Sequence, residues 1–113
     1  MRKTDKKIEK QLIASLTDVC EISLKAFTGF QWLTHFVHYS NFPKSLNVVC
    51  VFDTNDNLAA FLEAGKRQEL SAIIQTKLCE IGINLKNASQ HISYDTEENC
   101  QKSHNGKWAD RFG

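Results

Sequence analysis

The sequence predicts one α+β domain with the element order α-β-β-α-α-β, in which helices pack on a three-stranded sheet. The apolar run at residues 46–52 stops at Asp53 and Thr54, and helical spacing follows it. Residues 8–27 place apolar side chains at three- and four-residue intervals, as an amphipathic helix does. The 113 residues are enough for one hydrophobic core and too few for two, so residues 1–113 form a single domain.

Composition and charge exclude several classes of protein. A hydrophobic content of 42% with seven Phe is too high for a disordered chain. Net charge is +1, from 14 basic and 13 acidic residues, so any site for a polyanion must be local. The four cysteines contain no Cys-x-x-Cys pair, which favours reduced thiols. No apolar window reaches membrane-spanning length and charges follow Met1, so we expect a soluble, cytoplasmic protein without a membrane partner.

The first helix should be capped by Thr4 or Asp5 and should end at Thr28-Gly29. Its apolar stripe comprises Ile8, Leu12, Leu16, Val19, Cys20, Leu24 and Phe27. The first ten residues hold five basic and two acidic side chains. They form either a solvated helix end, the commoner outcome, or a patch that contacts phosphates. The second interpretation would use Lys3, Lys6, Lys7 and Lys10.

Two strands should follow the first helix. Residues 30–39 are rich in aromatic and β-branched side chains and favour a strand, with a helix as the alternative. A strand would place Leu33, His35 and Tyr39 on one face and Trp32, Phe36 and His38 on the other. Pro43 favours a turn. Residues 46–52 are apolar on both faces except at Asn47, which predicts a central strand covered on each side.

A helical pair and a third strand complete the predicted fold. Asp53-Thr54 should turn the chain and cap a helix, with Asp56 near its positive end. Gly65 should break the helix, and Gly82 should end the second helix in a left-handed conformation. A third strand is predicted at residues 89–94.

One short pattern occurs twice. Residues 52–57 and 94–99 both place an aromatic residue before Asp-Thr, any residue, an acid and Asn. The simpler interpretation is that two strands end in the same turn chemistry. The alternative brings Asp53 and Asp95 together at one sheet edge, where oxygen ligands would hold a hard cation.

Residues 100–113 form a tail that is either flexible or docked. Trp108 and Phe112 among cations are typical of a terminus docked on its own domain or on a second subunit. The less frequent alternative is that Lys107 pairs with a phosphate while Trp108 stacks on a base.

Catalytic motifs are lacking in the sequence. It has no glycine-rich phosphate loop, nucleophile elbow or dinucleotide fingerprint. His35 and His38 do not have the i, i+4 spacing of a helical metal pair, and Cys100 and His104 lie in the tail without a visible pocket. We therefore predict no enzyme activity, no catalytic or metal residues, and no cofactor.

The element order, the Ala64-Gly65 break and the ending His91-Ile92-Ser93-Tyr94-Asp95 resemble the bacterial type of KH domain, in particular the ribosome-binding factor A family. That family has a kink of alanine, any residue and glycine between its two helices, and here Ala64-Gly65 lies at the corresponding point without the intervening residue. The chain is also similar to short bacterial proteins, some of which are labelled Fis-like transcriptional regulators. The resemblance implies a KH-like fold and an association with RNA, DNA or the ribosome.

Two functional hypotheses remain open. One is a nucleic-acid- or ribosome-associated module whose phosphate contacts are Lys3, Lys6, Lys7, Lys10, Lys66, Arg67 and Lys107, with Trp108 stacking. The other is a homodimeric protein-interaction module that buries the aromatic residues between Trp32 and Tyr39, or those of the tail.

Overall fold

The fold is built around β2 (Asn47–Phe52), the middle strand of a three-stranded sheet. The computed structural model describes residues 3–113. β1 (Phe30–Phe36) pairs with β2 in the antiparallel direction and β3 (Ile92–Thr96) pairs with it in the parallel direction, so the sheet is mixed. The elements in chain order are α1 (Lys3–Ala26), β1 (Phe30–Phe36), a 3₁₀ turn (Tyr39–Asn41), β2 (Asn47–Phe52), α2 (Asn55–Glu63), α3 (Arg67–Glu80), a second 3₁₀ turn (Ala88–His91), β3 (Ile92–Thr96), α4 (Glu97–His104) and α5 (Trp108–Phe112).

One face of the sheet carries the main core. Val48, Cys50 and Phe52 alternate along β2 and point to this face, where α1 and α3 pack. The helices contribute fully or almost fully buried side chains: Leu12, Leu16, Val19, Leu70, Ile74 and Leu78. The predicted α+β fold with helices on a three-stranded sheet is thereby confirmed, as is the helical break, where Gly65 adopts φ +72°.

The other face of the sheet is covered by the C-terminal segment. Val51 is fully buried, and its partner across the strands is Trp32. The ring of Trp32 meets the ring of Trp108 edge to face, with centroids 4.9 Å apart. Farther along β1, Phe36 packs on Phe112 at 5.0 Å. The docked interpretation of these two tail aromatics is therefore confirmed, and it explains why β2 is apolar on both faces.

Several boundaries differ from the predicted ones. β1 ends at Phe36, because the chain turns into the 3₁₀ segment at Tyr39 instead of continuing as a strand. The predicted third strand begins too early, since residues 88–91 form a 3₁₀ turn in which Ala88 is buried. α1 already includes Lys3, so Thr4 and Asp5 lie inside its first turn and do not cap it.

The repeated Asp-Thr pattern caps two helices. Thr54 Oγ1 accepts the backbone N–H of Asn57 at 3.1 Å, and Thr96 Oγ1 accepts that of Asn99 at 3.0 Å. The caps are also linked, because the Thr96 hydroxyl donates to Asn55 Oδ1 at 2.6 Å. Two strands thus end with the same turn chemistry, as the simpler interpretation predicted. The second turn also starts α4, a helix that was not among the predicted elements.

Candidate nucleic-acid interface

Four lysines form a stripe along the first three turns of α1. Lys3, Lys6, Lys7 and Lys10 are all exposed, and this spacing places them within about 100° of one another around the helix axis. The buried positions of the same helix, Leu12, Leu16 and Val19, lie on the opposite side. We call these four residues the lysine stripe. α1 thus presents positive charge directly away from the core.

The acidic residues of this part of the helix point elsewhere. Asp5 and Glu9 lie toward the side that packs on the domain. Glu9 accepts a hydrogen bond from the Tyr39 hydroxyl, and its other oxygen lies 3.0 Å from His35 Nε2. Among residues 3–113, no carboxylate forms an ion pair with a lysine of the stripe. Four positive charges are therefore available to an anionic partner.

Lys66 and Arg67, the predicted phosphate contacts at the helical break, lie far from the lysine stripe. Lys66 lines a shallow cleft with Phe27 and Thr28, just beyond the C-terminus of α1. The helix from Lys3 to Ala26 has 24 residues and is about 36 Å long. Lys66 and the neighbouring Arg67 are therefore near the opposite end of α1 from the stripe, and the structure does not bring the two basic groups together.

The tail contacts occupy a third location, on the second face of the sheet. Trp108 donates its indole N–H to Glu97 Oε2 at 3.0 Å, and Trp32 donates its own to Glu97 Oε1 at 2.6 Å. One carboxylate thus holds two indoles against each other. Lys107 is exposed beside this cluster. Base stacking by Trp108 stays a prediction, and the indole already has an aromatic neighbour within its own chain.

Asp53 and Asp95 have separate partners. Asp53 Oδ1 accepts the backbone N–H of Thr54 and the side-chain amide of Asn57 at 2.6 and 2.9 Å. Asp95 accepts two hydrogen bonds from Arg111, at 2.5 and 3.0 Å. In the described part of the chain, no group of three or more His, Cys, Asp or Glu residues is placed to hold a metal ion. The shared cation site has no support in this geometry.

Charge pairs shift the pKa values of several side chains in α4 and α5. A hydrogen bond donated by Lys102 lowers the pKa of Glu98, and the hydrogen bond that Arg111 donates to Asp95 raises the pKa of Arg111. Burial raises the pKa of the Cys100 thiol, which favours the protonated form over the nucleophilic thiolate. His104 lies 3.4 Å from Arg111 Nη1 through its Nδ1 atom. No thiolate and base pair is formed by the tail.

The cluster of Glu9, His35 and Tyr39 was not found from the sequence. It joins α1, β1 and the first 3₁₀ turn, and the side chains of His35 and Glu9 are 15% and 30% exposed. The predicted strand face did group His35 with Tyr39, but their carboxylate partner Glu9 lies 26 residues before His35 and 30 residues before Tyr39. Only packing of the helix on the strand could reveal it. No sequence pattern marks Lys44 or Lys86, which line a cleft together with His91 at the same end of the sheet.

Comparison with protein-family models, curated proteins and solved structures found no match to this chain. Within residues 3–113, no helix combines the length and the apolar character needed to cross a membrane. The geometry of the basic groups is therefore the basis for a functional proposal.

Proposed function

We propose that this protein is a small non-enzymatic module that binds nucleic acid, as free RNA or DNA or as part of the ribosome, through the lysine stripe of α1. The observation that carries the proposal is the exposed alignment of Lys3, Lys6, Lys7 and Lys10 opposite the buried face of the helix. Ammonium groups on flexible stems are suited to contacting phosphates without reading the sequence of the bases.

The length of the stripe is compatible with a nucleic-acid backbone. From Lys3 to Lys10 the helix rises about 10 Å. Phosphates along one strand of a B-form duplex advance about 3.4 Å each along its axis. The stripe therefore spans about three phosphates, and the carboxylate of Glu9 is engaged by His35 and Tyr39 on another side of the helix.

A module with net charge +1 should bind such a backbone weakly and with strong salt dependence. Three or four neutralised phosphates give a slope of about −3 in log affinity against log salt concentration, because bound counterions are released. The expected behaviour is measurable binding at low salt that is lost toward physiological ionic strength.

Fluorescence anisotropy of labelled RNA and DNA over a salt series tests this proposal. The variant Lys6→Gln/Lys7→Gln/Lys10→Gln should weaken binding uniformly across sequences and reduce the salt slope by about 3. The matched control is Lys25→Gln/Lys77→Gln/Lys102→Gln, which removes the same charge at positions that lie outside the stripe and are not among the predicted phosphate contacts. We expect the control to retain most of the affinity and slope.

Two results would refute the proposal: no binding at low salt, or equal losses of affinity in the two triple variants.

The second candidate function is a homodimeric interaction module. It is favoured by Phe36 and Phe112, which pack on each other yet remain 43% and 38% exposed. Light scattering on the same samples distinguishes the two, since a stable dimer without nucleic-acid binding would support the second function.

A further inference from the structure

A cleft with a mixed polar and apolar lining opens at the end of the sheet where β2 and β3 begin. Its volume is about 530 Å³, within the range of sites that hold small organic ligands. One wall is the turn before β2, with Pro43 and Lys44, and the other is the connection between α3 and β3, including Leu85. The cleft does not include any residue of the lysine stripe.

The lining of this cleft is basic and contains no acidic residue. Lys44, Lys86 and His91 are its ionisable groups. Among residues 3–113, neither Lys44 nor Lys86 is paired with a carboxylate. The adjoining cleft, which shares Asn84 and Leu85, contains Glu80 and has no basic lining residue. Positive charge is thus concentrated on one side of Leu85.

Uncharged amide side chains complete the polar lining. Asn84, Asn87 and Gln90 each provide one carbonyl acceptor and one NH₂ donor. Such groups recognise hydroxyl groups, carbonyls and ring nitrogens, not net charge. Pro43 and Leu85 provide an apolar surface between them.

Both walls are fixed before any ligand arrives. Leu46 and Ala88 anchor them in the core at 2% and 7% exposure. The ring of His91 is held by a hydrogen bond between its Nδ1 atom and the Leu46 carbonyl at 2.7 Å. A carbonyl only accepts, so Nδ1 carries the hydrogen and the ring spans the two walls in a defined orientation. The His91 side of the cleft is therefore preorganised, which lowers the entropic cost of binding there.

We propose that this cleft binds a phosphate monoester. The ammonium groups of Lys44 and Lys86 would contact the phosphate, while Asn84, Asn87 and Gln90 would hydrogen-bond the organic group. Two lysines without an acidic neighbour match a dianion, and the amides match a sugar or base. Both a free mononucleotide and the phosphorylated end of a nucleic-acid strand have this chemistry. The proposal does not depend on the lysine stripe.

Titrations followed by amide NMR shifts test the site directly. The ligands are adenosine 5′-monophosphate, ribose 5-phosphate, inorganic phosphate and adenosine. We expect the two esters to shift amides in residues 44–46 and 84–91 and to bind at least about tenfold more tightly than inorganic phosphate or adenosine. A 5′-phosphorylated single strand and its unphosphorylated form distinguish the two origins of the monoester. If the 5′-phosphate strengthens binding, the ligand is the end of a nucleic-acid strand; if it does not, the ligand is a free mononucleotide or sugar phosphate.

Charge-matched variants locate the binding. Lys44→Gln/Lys86→Gln should weaken ester binding by about tenfold or more, whereas Lys25→Gln/Lys102→Gln, which removes the same charge outside both proposed sites, should change it by less than about twofold. All four lysines are exposed, so both variants should fold, which circular dichroism verifies. Three results would overturn the proposal. The first is wild-type affinity for the esters in Lys44→Gln/Lys86→Gln, and the second is amide shifts spread over lysines across the whole surface. The third is adenosine or inorganic phosphate binding as tightly as the esters.

Discussion

Cys50 illustrates how burial determines the chemistry of a single side chain in this protein. It lies in the middle of β2 with 0% exposure, among the core residues that face α1 and α3. Burial, aided by the nearby Cys20, raises the pKa of Cys50 from 9.0 to about 12. The folded state therefore holds the thiol proton more strongly than the unfolded chain does.

We expect Cys50 to make folding stability depend on alkaline pH. Its contribution is fully present below pH 9 and is lost as pH rises from 9 to about 12, because the unfolded thiol ionises first. One such proton lowers the free energy of unfolding by about 1.4 kcal/mol for each pH unit in this range. Urea unfolding of the wild type and of Cys50→Ala between pH 8 and 11 should show a shallower decline for the variant.

The control for this measurement is Cys79→Ala, because the thiol of Cys79 is exposed to water in the folded protein. The free energy of unfolding of Cys79→Ala should decline between pH 8 and 11 as steeply as that of the wild type. Some decline should remain in Cys50→Ala, since burial also raises the pKa of Tyr94. Identical slopes in the wild type and Cys50→Ala would contradict the assignment.

At the scale of elements, the turn between α1 and β1 depends on a glycine. Gly29 has φ +87°, and a Cβ atom there would lie 2.7 Å from both Asn57 Cβ and Asp53 Oδ1. The Gly29 carbonyl also accepts the Asp53 backbone N–H at 2.8 Å. The turn is therefore closed against the cap of α2, and there is no space for a side chain.

Gly29→Ala should lower the free energy of unfolding by about 2–4 kcal/mol. The left-handed conformation costs a residue with a Cβ about 1–2 kcal/mol, and steric overlap adds a similar amount. Gly82→Ala separates these effects, because Gly82 has φ +84° with nothing within 4 Å of an added Cβ. Gly82→Ala should therefore lose only the conformational cost of about 1–2 kcal/mol. Urea unfolding of both variants measures the difference, and equal losses would show that the packing at Gly29 adds nothing.

The elements that the sequence predicted are those with a strong apolar pattern. β2 is a continuous apolar run that is buried on both faces, and α3 buries Leu70, Ile74 and Leu78 at helical spacing, so the sequence pattern marks both elements directly. α4 buries only Cys100, and α5 has five residues, so neither carries an amphipathic signal. The start of α4 was nevertheless readable, because Thr96 caps it just as Thr54 caps α2.

At the scale of the whole molecule, the candidate site was only partly predictable. Helical spacing alone places Lys3, Lys6, Lys7 and Lys10 on one face, and the structure retains that arrangement. The separation of Lys66 from this stripe follows from the path of the chain around the sheet, which local patterns do not encode. The cleft with Lys44 and Lys86 likewise depends on two turns that are 42 residues apart in the chain.

The second face of the sheet makes the C-terminal segment part of the fold. Arg111 joins α5 to β3 through two hydrogen bonds to Asp95, and the two side chains are only 21% and 16% exposed. Next to them, Trp108 contacts Trp32 and Phe112 contacts Phe36. The ion pair thus joins the helix that carries Trp108 and Phe112 to β3, and we expect its loss to destabilise the whole domain.

Arg111→Gln should lower the free energy of unfolding by about 1–2 kcal/mol, because it leaves the partly buried Asp95 carboxylate without its charged partner. The matched control is Lys102→Gln, which breaks the exposed i, i+4 pair with Glu98 and should have no measurable effect. Urea unfolding monitored by tryptophan fluorescence follows the aromatic contacts at the same time. If Arg111→Gln were as stable as the control, residues 108–112 would be an appendage and not a structural layer of the sheet.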